Sequence, residues 1–116
     1  MWLLDANVDV HLAPVLREFG IPCETAAGRR WKGFTNGELV AAAVAAGFEC
    51  ILTRDQLFAE SASGALRSFP SFALVVVTLS QEPWPRYRRS FLEAWAVSPI
   101  RPVPGQFIHW PRAARD

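Results

Sequence analysis

Asp5, Asn7, Glu38 and Asp55 are the side chains of this chain whose types and placement suit chemistry. Each acid sits at a change of pattern: Asp5 ends the apolar run "WLL", Asp55 follows "CILTR", and Glu38 opens the alanine-rich "LVAAAVAA". Carboxylate and amide oxygens without His or Cys suit a hard ion such as Mg²⁺ or Mn²⁺ rather than zinc. An ion held this way activates a water and neutralises charge on a phosphoryl group. The chemistry indicated is metal-assisted phosphodiester cleavage, with Asp5, Glu38 and Asp55 as metal ligands. Asn7 would add an oxygen or orient a water.

These residues need elements that bring them together. Residues 1–4 read as a strand, and Val8, Leu12, Val15, Leu16 and Phe19 follow a helical period that closes at Gly20. Pro14 is tolerated there if the helix begins near Val10 or His11. "IPCETAA" reads as a second strand, "GRRWKGF" as a loop, and "TNGELVAAAVAAG" as a helix bounded by Thr35 and Gly47. "FECILT" and "FALVVVTL" are strands, the second rich enough in β-branched residues to be covered on both faces. "TRDQLFAESASG" turns into a short helix. Trp84 to Val97 is amphipathic, with Trp84, Tyr87, Phe91 and Trp95 on one face, and "QFIHW" reads as a last edge strand.

Strands alternating with helices predict an α/β fold, a three-layer α/β/α sandwich around a mostly parallel sheet of about five strands. Ligands of such folds bind at the C-terminal strand edge. Asp5 and Asp55 fall on that edge if their strands are neighbours, about 4.8 Å apart. The first turn of the helix carrying Glu38 lies over it as well.

Composition narrows the class. A chain of 116 residues has room for one domain, burying about two thirds of its unfolded surface. No stretch reaches the roughly 18 apolar residues of a membrane span, and "MWLLD" lacks a signal peptide's basic start, so a cytoplasmic location without membrane contact is expected. The net charge of +1 gives no global drive toward nucleic acid. Cys23 and Cys50 lie in apolar contexts without CxxC spacing and read as reduced core thiols.

Structural roles compete for the same residues. "TNGE" and "TRDQ" both fit the capping box. Glu38 would then cap its helix and Asp55 would be a first-turn acid. Asp5 could pair with Arg54, and Asp9 reads as the N-cap or first-turn acid of the first helix.

With these residues in view, the chain resembles the PIN-like nuclease superfamily, in particular the small PIN-like proteins described as predicted toxins of toxin-antitoxin systems. The matches are "LLDANV", "GFTNGELVAAA" and "ILTRDQLF", in order over residues 2 to 58, with "GQFIHW" similar to the closing strand. The resemblance implies one PIN-like domain over residues 1–116 and a Mg²⁺- or Mn²⁺-dependent endoribonuclease. Asp5, Glu38 and Asp55 would be its metal acids and Asn7 a supporting group. It also implies an RNA substrate, an antitoxin partner and a possible homodimer. Leu57 and Asn36 stand where relatives often carry aspartates, which thins the acidic cluster. Glu60, one turn beyond Asp55, is a candidate fourth carboxylate.

An RNA substrate needs cations and aromatic rings, and Arg29, Arg30, Trp31 and Lys32 in "GRRWKG", with Arg54, supply them. One rival reading keeps the fold but loses catalysis, leaving a binding module that acts through protein or RNA contacts. Another is the phospho-accepting receiver domain, which has acids after its first and third strands and a hydroxyl where Thr78 stands. It needs a lysine after its last strand, and Lys32, the sole lysine, lies in an early loop.

Overall fold

The computed structural model describes residues 1–111. Five strands alternate with helices: β1 (Trp2–Leu4), α1 (Leu12–Glu18), β2 (Cys23–Thr25), α2 (Asn36–Ala45), β3 (Cys50–Thr53), α3 (Gln56–Ala62), a 3-10 turn (Ser63–Arg67), β4 (Ala73–Val77), α4 (Trp84–Val97) and β5 (Phe107–Trp110). The sheet order is β2-β1-β3-β4-β5 and all pairings are parallel. The expected three-layer α/β/α architecture is therefore present, with a wholly parallel sheet. Among the described residues no helix is long and apolar enough to cross a membrane.

Alternation along the strands divides the core. Leu4, Leu52 and Val75 face α1 and α4 in a cluster with Leu12, Leu16, Phe91 and Trp110. Leu3, Ile51 and Leu74 face the other way, toward Val40, Ala43 and Phe58 of α2 and α3. Strands buried on both faces must be apolar at every position, which is why "CIL" and "ALVVV" carry no polar interruption.

Helix ends follow their sequence signals with one shift. α1 starts at Leu12, later than Val10 or His11, so Pro14 falls in the first turn, where its missing N–H has no helical acceptor to lose. Asp9 does not cap the helix itself. Its Oδ1 accepts the His11 N–H at 2.9 Å and stiffens the turn before it. α1 and α2 close alike. Gly20 (φ 81°) donates to the Arg17 carbonyl with Ile21 donating to Leu16, and Gly47 (φ 89°) donates to Val44 with Phe48 donating to Ala43. These paired bonds satisfy carbonyls that the helix leaves open and need a left-handed residue that glycine supplies cheaply.

Trp2 pairs in register with Cys23 on one side and with Cys50 on the other. The two cysteines are thus two strand spacings apart, roughly 9.6 Å, beyond the reach of a disulfide. Both are buried and free, and burial is the main cause pushing both thiols above their usual range. Neither thiol should react with a thiol-specific reagent until the protein is unfolded, and oxidant should leave the thermal midpoint unchanged; native-state titration of either thiol would contradict this.

Candidate active site

β1 is the point where the strand order reverses, since the chain leaves it for β2 on one side and later returns to β3 on the other. In doubly wound sheets the crevice at such a reversal, at the carboxyl ends of the strands, is where ligands bind. Leu4 of β1 is in register with Leu52 of β3, and the Asp5 N–H donates to the Leu52 carbonyl at 2.9 Å. The ladder therefore carries Asp5 and Thr53 to the same end of adjacent strands.

Thr53 organises this corner. It is 0% exposed, the one fully buried polar residue among those described. A hydroxyl has one proton to give and two lone pairs to receive with. The proton goes to Asp5 Oδ2 at 2.8 Å. The lone pairs face the Asp55 N–H at 3.1 Å and the Asn7 Nδ2 at 3.3 Å. Asn7 Oδ1 in turn accepts the Arg54 N–H at 3.0 Å, and Asp5 Oδ1 accepts the Ala6 N–H at 2.8 Å. "TRDQ" does not form a capping box around Thr53, which belongs to β3. Asp55 is the cap instead, its Oδ1 accepting the Leu57 N–H at 2.9 Å.

Asp5, Asn7 and Asp55 are thus joined through one hydroxyl. Glu38 is not joined to them. It closes a capping box on α2, with Oε1 accepting the Thr35 N–H at 2.9 Å and its own N–H donating to Thr35 Oγ1 at 3.2 Å. Those bonds, the backbone one first, hold its carboxyl below the usual glutamate range. Among the described residues no three His, Cys, Asp or Glu side chains form a group that could hold a metal ion. Glu60 accepts from Gln56 along α3, and Leu57 is 72% exposed where a second aspartate would have stood.

Arg54 makes no ion pair with Asp5. Its guanidinium turns to the Gln81 Oε1 at 2.8 Å and the Leu79 carbonyl at 3.4 Å, on the α4 side of the sheet. In the loop after β2, Arg29 makes two bonds of 2.9 Å to Glu24 and lies 5.3 Å and 5.2 Å from the Trp31 and Phe48 ring centres. Its bonds pull the Glu24 carboxyl down. Arg29 and Trp31 therefore hold the loop on the core, and Arg30 and Lys32 remain the exposed cations of "GRRWKG".

Three residues of this edge were not singled out from the sequence. Thr53 read as a capping residue, and Tyr87 as an ordinary core aromatic. His109 lies within "QFIHW", which reads only as an edge strand, yet its Nε2 is bonded to Gln56 Oε1, directly after Asp55. The β3–β4 and β4–β5 registers bring Thr53 and His109 level on either side of Val76, and register has no local sequence signal. Thr78, the hydroxyl of the receiver reading, is spent on the Pro111 carbonyl at 2.9 Å, and Lys32 lies in the exposed loop after β2.

Comparison with protein-family models, with curated proteins and with solved structures finds no match.

Thr53→Val keeps the shape and removes the hydroxyl, leaving partners on both strands unpaired. It should cost about 1–3 kcal/mol in urea denaturation, with Thr53→Ser close to the parent. Equal stability of the Val and Ser variants would show that the hydroxyl organises nothing. Because the folded Glu38 carboxyl is held low, its contribution is present above the ordinary glutamate pKa and lost as pH falls through the folded value. Glu38→Gln keeps a capping acceptor without that titration. Its stability should fall less than the parent's between about pH 5 and about pH 3.

Proposed function

We propose that this chain is a PIN-like, Mg²⁺- or Mn²⁺-dependent ribonuclease acting on single-stranded RNA, the toxin of a toxin-antitoxin pair, with Asp5 and Asp55 as its metal-binding acids. The observation that carries the reading is the pair of hydrogen bonds joining the Thr53 hydroxyl to Asp5 Oδ2 and to the Asp55 N–H at the sheet's reversal point.

The donor chemistry fits such an ion. Asp5 and Asp55 offer carboxylate oxygens, Asn7 is an amide, and no sulfur is bonded into the network. Mg²⁺ commonly keeps several waters and takes one or two protein carboxylates together with substrate phosphate oxygens, so a pair of acids suffices. Asp55 uses Oδ1 for the helix cap and has Oδ2 left for another partner. Each oxygen of Asp5 accepts one protein hydrogen bond and retains a further lone pair. A divalent cation bound there supplies Lewis-acid neutralisation of the phosphoryl group and a water of lowered pKa.

The chain's own residues do the positioning. Thr53 fixes the Asp5 carboxylate by donating to Oδ2 and fixes the Asp55 main chain by accepting from it. Asn7 fastens the Arg54 peptide, so it orients the turn that presents Asp55. Arg30 and Lys32 supply exposed positive charge to a phosphate backbone.

Glu38's engagement in the capping box favours a second reading, a PIN-like binding module without catalysis. Its signature is RNA binding without turnover.

A labelled single-stranded RNA incubated with Mn²⁺ separates the two. Asp5→Asn and Asp55→Asn should each slow cleavage by more than the roughly 10–100-fold expected for loss of an outer-shell partner such as Thr53. Asn remains a good N-cap, so Asp55→Asn keeps α3 intact. Cleavage that survives either change, or that EDTA leaves untouched, excludes this site. Binding without cleavage selects the second reading.

A further inference from the structure

Beside the Thr53 network, on the α1 and α4 side, lies a cleft of about 380 Å³, within the size range of small-ligand sites. Asn7, Arg54, Gln81 and Tyr87 border it, with Asp9 and Glu82. Two of its lining side chains, Arg54 and Tyr87, each carry a buried polar atom without a hydrogen-bond partner, Nε and Oη. Tyr87 is only 2% exposed, and burial is the main cause raising its phenol. Buried donors without acceptors forfeit their hydration and gain nothing in return. A pair of them in one cleft therefore points to an acceptor brought by a ligand.

The surroundings narrow that ligand. Gln81, itself exposed, already places a carbonyl oxygen on Arg54 Nη1 at 2.8 Å, the acceptor chemistry a phosphoryl oxygen also offers. Reaching the buried donors needs Gln81 to swing aside, at the cost of that bond. Asp9 and Glu82 would repel a bare anion but accept protons from hydroxyl groups, which a ribose carries and inorganic phosphate at neutral pH offers poorly. Asp9 also bonds the His11 ring at 2.7 Å, and that ring stacks on Trp84 with centres 4.9 Å apart. That pair does not line the cleft but adjoins it through Asp9 and Tyr87, and it is a flat surface of the kind on which a nucleobase stacks.

We propose that this cleft seats one nucleotide of the RNA strand next to the cleaved bond, its phosphoryl oxygens accepting from Arg54 Nε and Tyr87 Oη and its ribose 2′-hydroxyl donating to one carboxylate of the Asp9 and Glu82 pair. The placement beside a cleaved bond rests on the ribonuclease reading. The nucleotide site itself does not, and it is read by binding alone.

Tyr87→Phe keeps the ring and deletes the orphan hydroxyl. Fluorescence anisotropy of a short labelled single-stranded RNA on the full chain, in EDTA, should show about tenfold weaker binding for Tyr87→Phe. The thermal midpoint of the free variant should be unchanged or raised, because a group unpaired in the free protein has been removed. Arg54→Lys keeps the charge but lacks Nε, and should weaken binding similarly. DNA of the same sequence, without 2′-hydroxyls, should bind more weakly than the RNA. Unchanged RNA affinity in Tyr87→Phe overturns the proposal. So does a loss that appears only with a lowered thermal midpoint, since the hydroxyl would then be structural. A loss seen for inorganic phosphate but not for the strand overturns the nucleotide assignment. Absence of cleavage with Mn²⁺ would remove the nuclease reading and leave this binding result standing.

Discussion

The polar network at the carboxyl end of this sheet depends on a hydroxyl that has no water to fall back on. Thr53 is completely buried, so its one proton and two lone pairs must be matched by the protein. The matches come from Asp5 and Asn7 after β1 and from the main chain at Asp55. That is possible only because β1 and β3 are adjacent and parallel, with Leu4 level with Leu52. A slip of one residue would turn Thr53 toward the α1 and α4 core and leave Asp5 without its donor. The network and the register therefore enforce each other, and the apolar pairs below it, Leu3 with Ile51 and Leu4 with Leu52, provide the burial that makes the hydroxyl's partners obligatory.

The same alternation separates the chemistry into two neighbourhoods. Thr53 shares its face with Ile51, toward α2 and α3, where Asp55 caps α3 and His109 reaches Gln56. Arg54, one residue on, sends its guanidinium to Gln81 and Leu79 and borders the cleft that ends at Tyr87. Tyr87 is held there by the aromatic packing of α4. Trp84 lies 6.2 Å from its ring, and Phe91 is wedged against Trp95 and Trp110 at 5.7 Å and 5.2 Å between centres. Two adjacent residues on one turn thus connect an acidic corner to a cleft with unpaired donors.

Local hydrogen bonding competes with longer-range convergence, and the outcome differs among the acids. Glu38 sits three residues after Thr35, where both reciprocal bonds of a capping box close without help from the rest of the fold. Asp55 serves its helix with a single oxygen. Asp5 has no helix to cap, and its longest-range partner lies 48 residues away in Thr53. The loop carrying Arg29 follows the same logic. A bidentate pair with Glu24 only five residues back consumes a cation that composition alone would assign to RNA.

Fold class and the order of elements were legible in the residues alone, because an α/β sandwich writes its strands as apolar runs and its helices as periodic faces closed by glycine. "CIL", "ALVVV" and the helix from Trp84 were all legible in that way, as was the placing of Asp5 and Asp55 after strands. The sequence also held the capping box at Thr35 and Glu38, since that motif is complete within four residues. Which strands are neighbours, that Thr53 rather than an acid sits at the hub, and that Arg54 faces Gln81 instead of Asp5 emerge only in the assembled fold. Those outcomes depend on register and on which polar groups lose their water. Both are properties of the assembled sheet, and no short stretch of chain encodes them alone.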